Sequence, residues 1–284
     1  MPFLPDNSSV TIAGSPDSSY ESPGEKSGSR GRGMVHDQRP SAYVTLAPIY
    51  DKIMSHVRYD DWVGLIKRVI QEYAAVADPM VLEIGGGTGM LGAKLGRAFR
   101  YIGSDLSMSM CRQARPRCNR FLCANGLDLP LKTSFDLVLF LYDGINYLAR
   151  LSDYRRLFLE IHKRLRHGGL FLFDITTRIN SLTHFDEFVD FEDFDTYYYI
   201  RHSYYDKVDR TQHNEFTIFR RVQGNPAYFD KSHEHHIQWV FDAEEVFRAV
   251  PEDLFDVVGM WDGFSLKKYS SRSERIHFLL RKKE

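Results

Sequence analysis

No run of apolar residues in this 284-residue chain approaches the roughly 20 that a membrane helix needs. No transmembrane segment is expected. Charge of one sign is missing too, with 37 Lys and Arg against 38 Asp and Glu and a net charge of −1. Such a chain sets up no global field to gather nucleic acid or a membrane surface, so neither is expected as a partner. Cysteine is scarce: Cys111, Cys118 and Cys123 sit close together without a CxxC spacing. With no secretory leader pattern, they read as reduced thiols of a cytoplasmic protein, packing as small hydrophobes. What is plentiful is aliphatic and aromatic content, 43% hydrophobic residues in all, enough for a folded core.

Residues 1–40 are rich in serine, proline and glycine and poor in apolar side chains. That composition does not offset the entropy of ordering, and a disordered tail is expected. Asp6, Asp17, Glu21 and Glu25 argue against a mitochondrial presequence. The stretch Arg30-Gly31-Arg32-Gly33 reads as solvated. Residues 41–284 read as one domain.

Within it, Ile49, Ile53, Met54 and Val57, then Trp62, Ile66, Val69, Ile70 and Tyr73, recur at helical spacing. Strands at 81–85, 101–105, 120–124, 135–141 and 170–174 then alternate with helices near 88–98, 107–115 and 152–166. Alternation of this kind implies parallel strands joined by right-handed crossovers, a doubly wound α/β sheet. Gly168-Gly169 is expected to end the 152–166 helix. Over 178–240 the period falls to two and aromatics crowd, among them Tyr198, Tyr199, Tyr204 and Phe216. Three or so antiparallel strands are expected there, turning near 206–210 and 224–226. Asp242 and Glu245 form a capping-box pair for a helix from 242. Strands near 254–261 and 275–282 complete a mostly parallel, seven-stranded, Rossmann-like sheet with an antiparallel β insert.

The most informative run is Val81-Leu82-Glu83-Ile84-Gly85-Gly86-Gly87-Thr88-Gly89-Met90-Leu91. A strand that breaks into a glycine loop and then a helix is how doubly wound folds build a nucleotide site. Two cofactors compete for it. Gly87-Thr88-Gly89-Met90-Leu91-Gly92 matches the G-x-G-x-x-G dinucleotide pattern, and an acid, Asp105, follows about 20 residues on. Against that, a carboxylate at Glu83 would repel a pyrophosphate, whereas a ligand carrying an ammonium gains from it. Gly85 also breaks the strand two residues before the dinucleotide pattern begins. Asn125 follows the third strand, where an amide can reach an adenine amino group. Phe135–Phe140 leads into Tyr142-Asp143-Gly144-Ile145-Asn146-Tyr147-Leu148.

On these motifs the chain, from about Tyr50 onward, resembles class I S-adenosylmethionine (SAM)-dependent methyltransferases of the bacterial small-molecule type, which carry an antiparallel insert after the fifth strand. The resemblance implies SAM as cofactor and methyl transfer to nitrogen or oxygen of a small-molecule acceptor by in-line displacement. It implies that Tyr50 and Tyr59 lie on N-terminal helices closing over the cofactor. Glu83, Gly85, Gly87 and Gly89 would surround the methionine moiety. Asp105, with Leu106 beside it, would take the ribose hydroxyls, and Asn125 and Gly126 would meet the adenine. The family usually has aspartate where Asn125 stands. Charge-assisted hydrogen bonds of the Asp105 kind are worth roughly 1.5–3 kcal/mol each.

Displacement at a sulfonium mainly requires the acceptor to be held in line. A base helps only where the acceptor must lose a proton. Candidates are Tyr142 and Asp143 after the fourth strand, where ligands gather in open sheets, and His235 and His236 in the insert. Asn146 and Tyr142 are the candidates for acceptor binding, although Asp143-Gly144 is also ordinary turn chemistry. His233 and His235 share one strand face and His236 takes the other. With no third ligand at metal spacing, no metal is expected. The insert's aromatics either line an acceptor pocket or pack the insert itself. Lys267, Lys268, Arg272 and Arg275 read as a solvated basic face. Two further readings stay open: a SAM-binding protein without turnover, and a nicotinamide-dependent oxidoreductase.

Overall fold

The computed structural model describes residues 42–225 and 227–283. The tail expected at 1–40 and its Arg-Gly stretch lie outside the described residues, as does Pro226 of the expected turn. After a single helical turn, α1 (Tyr50–Ile53), the stripe of Trp62, Leu65, Ile66, Val69 and Ile70 forms the buried face of α2 (Tyr59–Tyr73). The alternating region follows as β1 (Met80–Ile84), α3 (Met90–Leu95), β2 (Arg100–Asp105), α4 (Met108–Ala114), β3 (Phe121–Cys123), β4 (Phe135–Phe140), α5 (Leu151–Arg164) and β5 (Leu165–Thr176). The insert holds α6 (Arg178–His184), β6 (Phe188–Asp193), β7 (Tyr197–Asp206), β8 (Thr211–Arg221) and β9 (Phe229–Trp239). The chain then closes with α7 (Ala243–Ala249), β10 (Phe255–Asp262) and β11 (Arg275–Lys282).

The main sheet has the order β10-β11-β5-β4-β1-β2-β3. It is parallel except at β11, which runs antiparallel to both β5 and β10. Period-two alternation divides its side chains between two layers. Leu137 and Leu139 of β4 pack with α2, α3 and α4, while Val138 and Phe140 pack with α5 and α7. Successive strands run outward from β1 through β2 to β3, then restart on its other side at β4. This reversal opens a crevice past the carboxyl ends of β1 and β4.

Three expectations need correction. Period two does not hold from 178, because Arg178–His184 form a helix capped by the Thr177 side chain. Gly168-Gly169 does not cap α5, which ends at Arg164; Leu165 is buried and already pairs with Phe135 as the first residue of β5. Gly168, at φ 69°, instead serves the irregularity where the β4–β5 register slips. The insert has four paired strands, in the order β6-β7-β8-β9. The extra one, β6, mixes acids with exposed Val189 and Phe191, so alternation does not reveal it. The inner face of the insert, at β7 and β8, receives the N-terminal segment: Leu46, Ile49 and Ile53 bury against Tyr199, Phe216 and Ile218.

Candidate functional site

A cavity of about 290 Å³ occupies the crevice. The loops after β1, β2 and β3 contribute Gly85, Gly87, Asp105, Leu106, Asn125 and Gly126; Phe140, Tyr142 and Tyr147 form another wall, and Tyr43 and Tyr50 the roof. A smaller space of about 60 Å³ adjoins it, bordered by Glu83, Tyr59, Trp62 and Thr88. The structure thus gathers most of the expected cofactor residues at one place.

The glycines divide the work. Gly85 and Gly87 both have positive φ, 66° and 56°. A Cβ on Gly85 would meet the Phe140 ring at 2.8 Å, whereas one on Gly87 would have no atom within 4 Å. Packing requires the first, and the second keeps a wall clear. Asp105 braces this loop: its Oδ2 accepts the Gly87 N–H at 2.9 Å and its Oδ1 the Ser107 N–H at 2.8 Å. Burial raises its pKa, opposed by those backbone donors. The helix cap is Ser107, whose side chain accepts from the Met110 N–H, so Asp105 is not needed there.

Glu83, only 4% exposed, accepts a hydrogen bond from the Tyr101 phenol. Burial pushes its pKa up to about 7; the Tyr101 bond lowers it and nearby Asp105 raises it. Leu106 is 70% exposed at the cavity mouth. The Asn125 amide oxygen accepts the Leu127 N–H at 2.9 Å, which shapes the loop. Above the glycine loop, Asp51 of α1 pairs with Arg117 at 2.6 Å and accepts from the Thr88 hydroxyl. Arg117 also donates to the Thr88 carbonyl at 2.8 Å, so the roof is fastened to the floor.

After β4 the backbone makes two successive left-handed residues, Tyr142 (φ 62°) and Asp143 (φ 50°). Side chains rarely tolerate this unless the surroundings impose it. Here the Asp143 N–H donates to Asp174 at 2.8 Å, and Arg275 pairs with the carboxylates of both Asp143 and Asp174. Asp143 is therefore a fastening group, and its carboxylate does not line the cavity. Burial raises its pKa, with Arg275 opposing. Arg275 is correspondingly not part of a solvated basic face: the two acids need its charge. Tyr142 lines both spaces, packed between Trp62 and the Arg275 guanidinium. Burial pushes its phenol well above the ordinary value.

Asn146 does not line the cavity. It is 0% exposed, its amide donates to the Trp239 carbonyl at 2.8 Å and accepts the Thr176 N–H at 3.0 Å. Its neighbour Tyr147 lines the cavity instead. The Tyr147 hydroxyl lies 2.6 Å from that of Tyr43 and 3.2 Å from His236 Nδ1, and His236 Nε2 lies 3.1 Å from Glu234. Glu234 also accepts the N–H groups of Tyr43, Thr45 and Leu46 and the Thr45 hydroxyl. Burial acts to raise its pKa, but the bonds from His236, Thr45 and Leu46 win and hold it at about 2.

His235 takes the opposite face of β9, with its ring 2.8 Å from His213 Nδ1 and away from this chain of groups. The sequence does not single out Tyr43, Tyr147 or Glu234. The signal for Glu234 was the i, i+2 relation that puts it on the face of His236. The insert's aromatics do not line the cavity: Tyr199 and Phe216 pack the N-terminal segment, and Tyr204 stacks on His213 outside. Among the described residues no cluster of three or more His, Cys, Asp or Glu is arranged to hold a metal. None of the described helices is long and apolar enough to cross a membrane.

The chain and its fold are similar to known proteins. Residues 81–169 match the methyltransferase domain family. Over 247 residues the chain is 27% identical to a Geobacillus sp. (strain WCH70) protein named "Putative methyltransferase", covering 84% of this chain and 99% of that one. The fold is similar to an S-adenosylmethionine-dependent methyltransferase from Clostridium acetobutylicum, with TM-score 0.70, 23% identity, and coverage of 84% and 98%. It is also similar to the sugar N-methyltransferase KedS8 from Streptoalloteichus sp., with TM-score 0.67, 19% identity, and coverage of 83% and 93%. The fold is that of class I SAM-dependent methyltransferases, with the antiparallel insert after β5.

Proposed function

We propose that this methyltransferase fold uses SAM to methylate an N–H or O–H group of a small molecule. The observation that carries the reading is the chain Glu234–His236–Tyr147–Tyr43, which ends in the cavity built by Gly85, Gly87 and Asp105. The residues fit the cofactor. Asp105 offers a carboxylate to the ribose hydroxyls, Leu106 and Asn125 offer an apolar face and an amide to the adenine, and Glu83 offers negative charge to the methionine end. When bound, SAM supplies an electrophilic methyl group carried on a sulfonium.

The polarity of the chain follows from its carboxylate. Ionised Glu234 only accepts, so His236 Nε2 must carry a proton. In neutral His236 the Nδ1 lone pair then accepts from the Tyr147 hydroxyl. Tyr147 in turn presents oxygen lone pairs to Tyr43 and to the cavity, which suits an acceptor that donates N–H or O–H. A proton released by the acceptor passes to the Tyr147 oxygen as the Tyr147 proton passes to His236. The imidazolium so formed faces Glu234, which is ionised throughout the working range. Burial holds the Tyr147 phenol above its ordinary pKa, so the relay avoids a standing phenolate. This is the carboxylate–histidine logic of a triad with a phenol at its end.

The sugar N-methyltransferase named above supports an amine among the acceptors. The test is calorimetric titration with SAM, followed by a labelled-methyl screen of small amines and alcohols with wild type and Tyr147→Phe. Binding of SAM by both proteins, with turnover by wild type and at least about tenfold slower turnover by the variant, is the expected result. Failure of wild type to bind SAM, or full turnover by the variant, overturns the reading.

A further inference from the structure

Behind Asp105 lies a pair of thiols that the transfer reaction does not use. On β3, Phe121 and Cys123 point to the same face, the face covered by α4, where Phe121 packs in one cluster with Cys111 and Ala114. Cys123 is the register partner of Asp105 in the parallel β2–β3 pairing. The Cys111 thiol is directed at the carbonyls of Asp105 and Leu122, at 3.5 and 3.6 Å, and the Cys123 thiol at the carbonyl of Leu106, at 3.3 Å. The two thiols thus engage the carbonyls at either end of the Asp105–Leu106 step, and Cys111 also reaches the carbonyl of Leu122, the residue before Cys123. Cys123 is exposed and Cys111 is buried. Cys118 is engaged elsewhere, with the Gly89 carbonyl at 3.5 Å.

We propose that Cys111 and Cys123 form a reversible disulfide when a peroxide oxidises Cys123, and that this bond closes the cofactor site from behind Asp105. The exposed thiol reacts first: the Cys123 sulfur takes one oxygen from hydrogen peroxide, becoming a sulfenic acid, and water leaves. The Cys111 sulfur then attacks the sulfenyl sulfur; the S–S bond forms, the S–O bond breaks, and hydroxide departs with the Cys111 proton as a second water. Two thiols have lost two electrons and two protons, and one peroxide has been reduced to two waters. Burial of Cys111 shields its thiol from direct attack by the oxidant, so Cys123 is the thiol oxidised first.

The bond removes both S–H donors from the carbonyls that hold the Asp105–Leu106 turn and draws α4 onto β3. The Asp105 carboxylate and the Leu106 side chain leave the positions that serve the cofactor. This consequence rests on the SAM reading; the formation of the disulfide does not.

The experiment treats the full chain with hydrogen peroxide and maps tryptic peptides without reduction. Cleavage after Arg112, Arg117 and Arg120 separates the three cysteines. The expected product is one peptide pair, Cys111 with Cys123, two hydrogens lighter than its parts and separated by dithiothreitol. It should form in Cys118→Ala and be absent in Cys123→Ser. SAM affinity of the oxidised protein should fall at least about tenfold and return on reduction. Oxidation of Cys123 to sulfinic acid without a link, or a link to Cys118, overturns the pairing. A Cys111–Cys123 link with unchanged SAM affinity overturns the closure. If the reduced protein binds no SAM, the functional reading fails while the peptide map still decides the disulfide.

Discussion

Gln238 on β9 donates a 2.7 Å hydrogen bond to the carboxylate of Asp143, the acid in the turn that follows β4. The insert and the main sheet are thereby joined beside the cavity, next to Tyr142 and Gly144 of its lining. The same carboxylate pairs with Arg275, which pairs also with Asp174. One cation therefore stands against the buried Asp174 and the partly buried Asp143, and three distant stretches of chain meet in it.

Removing that cation is expected to be costly. Arg275→Met leaves two carboxylates without a counter-charge, a loss of about 3–5 kcal/mol by analogy with other broken buried pairs. Urea unfolding at neutral pH measures it. Burial already raises the pKa values of Asp143 and Asp174, and without Arg275 both rise further. The deficit of the variant should accordingly shrink as pH is lowered and the two acids take up protons. A deficit that is independent of pH would contradict the ion-pair account.

Glu83 gives a second pH signature. Its folded pKa of about 7 lies above the ordinary value of 4.5, chiefly through burial. Its contribution to folding is fully present below the unfolded value and is lost as pH rises through about 7. Cofactor binding should run the other way, because a cationic methionine end prefers the ionised carboxylate. SAM affinity is expected to rise with pH by up to about tenfold per unit below pH 7 and to level off above it. In Glu83→Gln the dependence should vanish. Calorimetry across pH 5.5–8.5, roughly spanning the Glu83 value, checks this, and an unchanged slope in the variant would refute it.

The relay predicts a separation of rate from binding. Tyr147→Phe removes the hydroxyl between Tyr43 and His236 but keeps the ring in the cavity wall. kcat is expected to fall by about a hundredfold, with SAM affinity within about threefold of wild type. Glu234→Gln should differ, because Glu234 also anchors the backbone of residues 43, 45 and 46. That variant should lose both rate and cofactor affinity. Equal effects of the two substitutions on SAM affinity would argue against the relay.

Much of this architecture is written locally. The alternation of β1 to β5 with their helices, the glycine loop, Asp105 and the capping box of α7 all follow from periods of 2 and 3.6 or from residues a few positions apart. What escaped depends on contacts remote in sequence. Asn146 stands where ligand-binding residues stand, and nothing nearby shows that the Trp239 carbonyl and Thr176 N–H occupy its amide. Arg275 has polar neighbours and reads as solvated; the acids that bury it lie on β5 and after β4. Glu234 reaches its partners near Thr45 across 189 residues. Its face on β9 was legible, but the segment it captures was not.

The central claim is that the crevice between β1 and β4 is a SAM site held by Asp105. Calorimetric titration of wild type and Asp105→Ala with SAM and S-adenosylhomocysteine tests it most directly. One-site binding of both ligands to wild type, weakened in the variant by at least about tenfold, is the predicted result. Silence with both ligands, together with a clear isotherm for NADH, would contradict it and return the Gly87–Gly92 run to its dinucleotide reading.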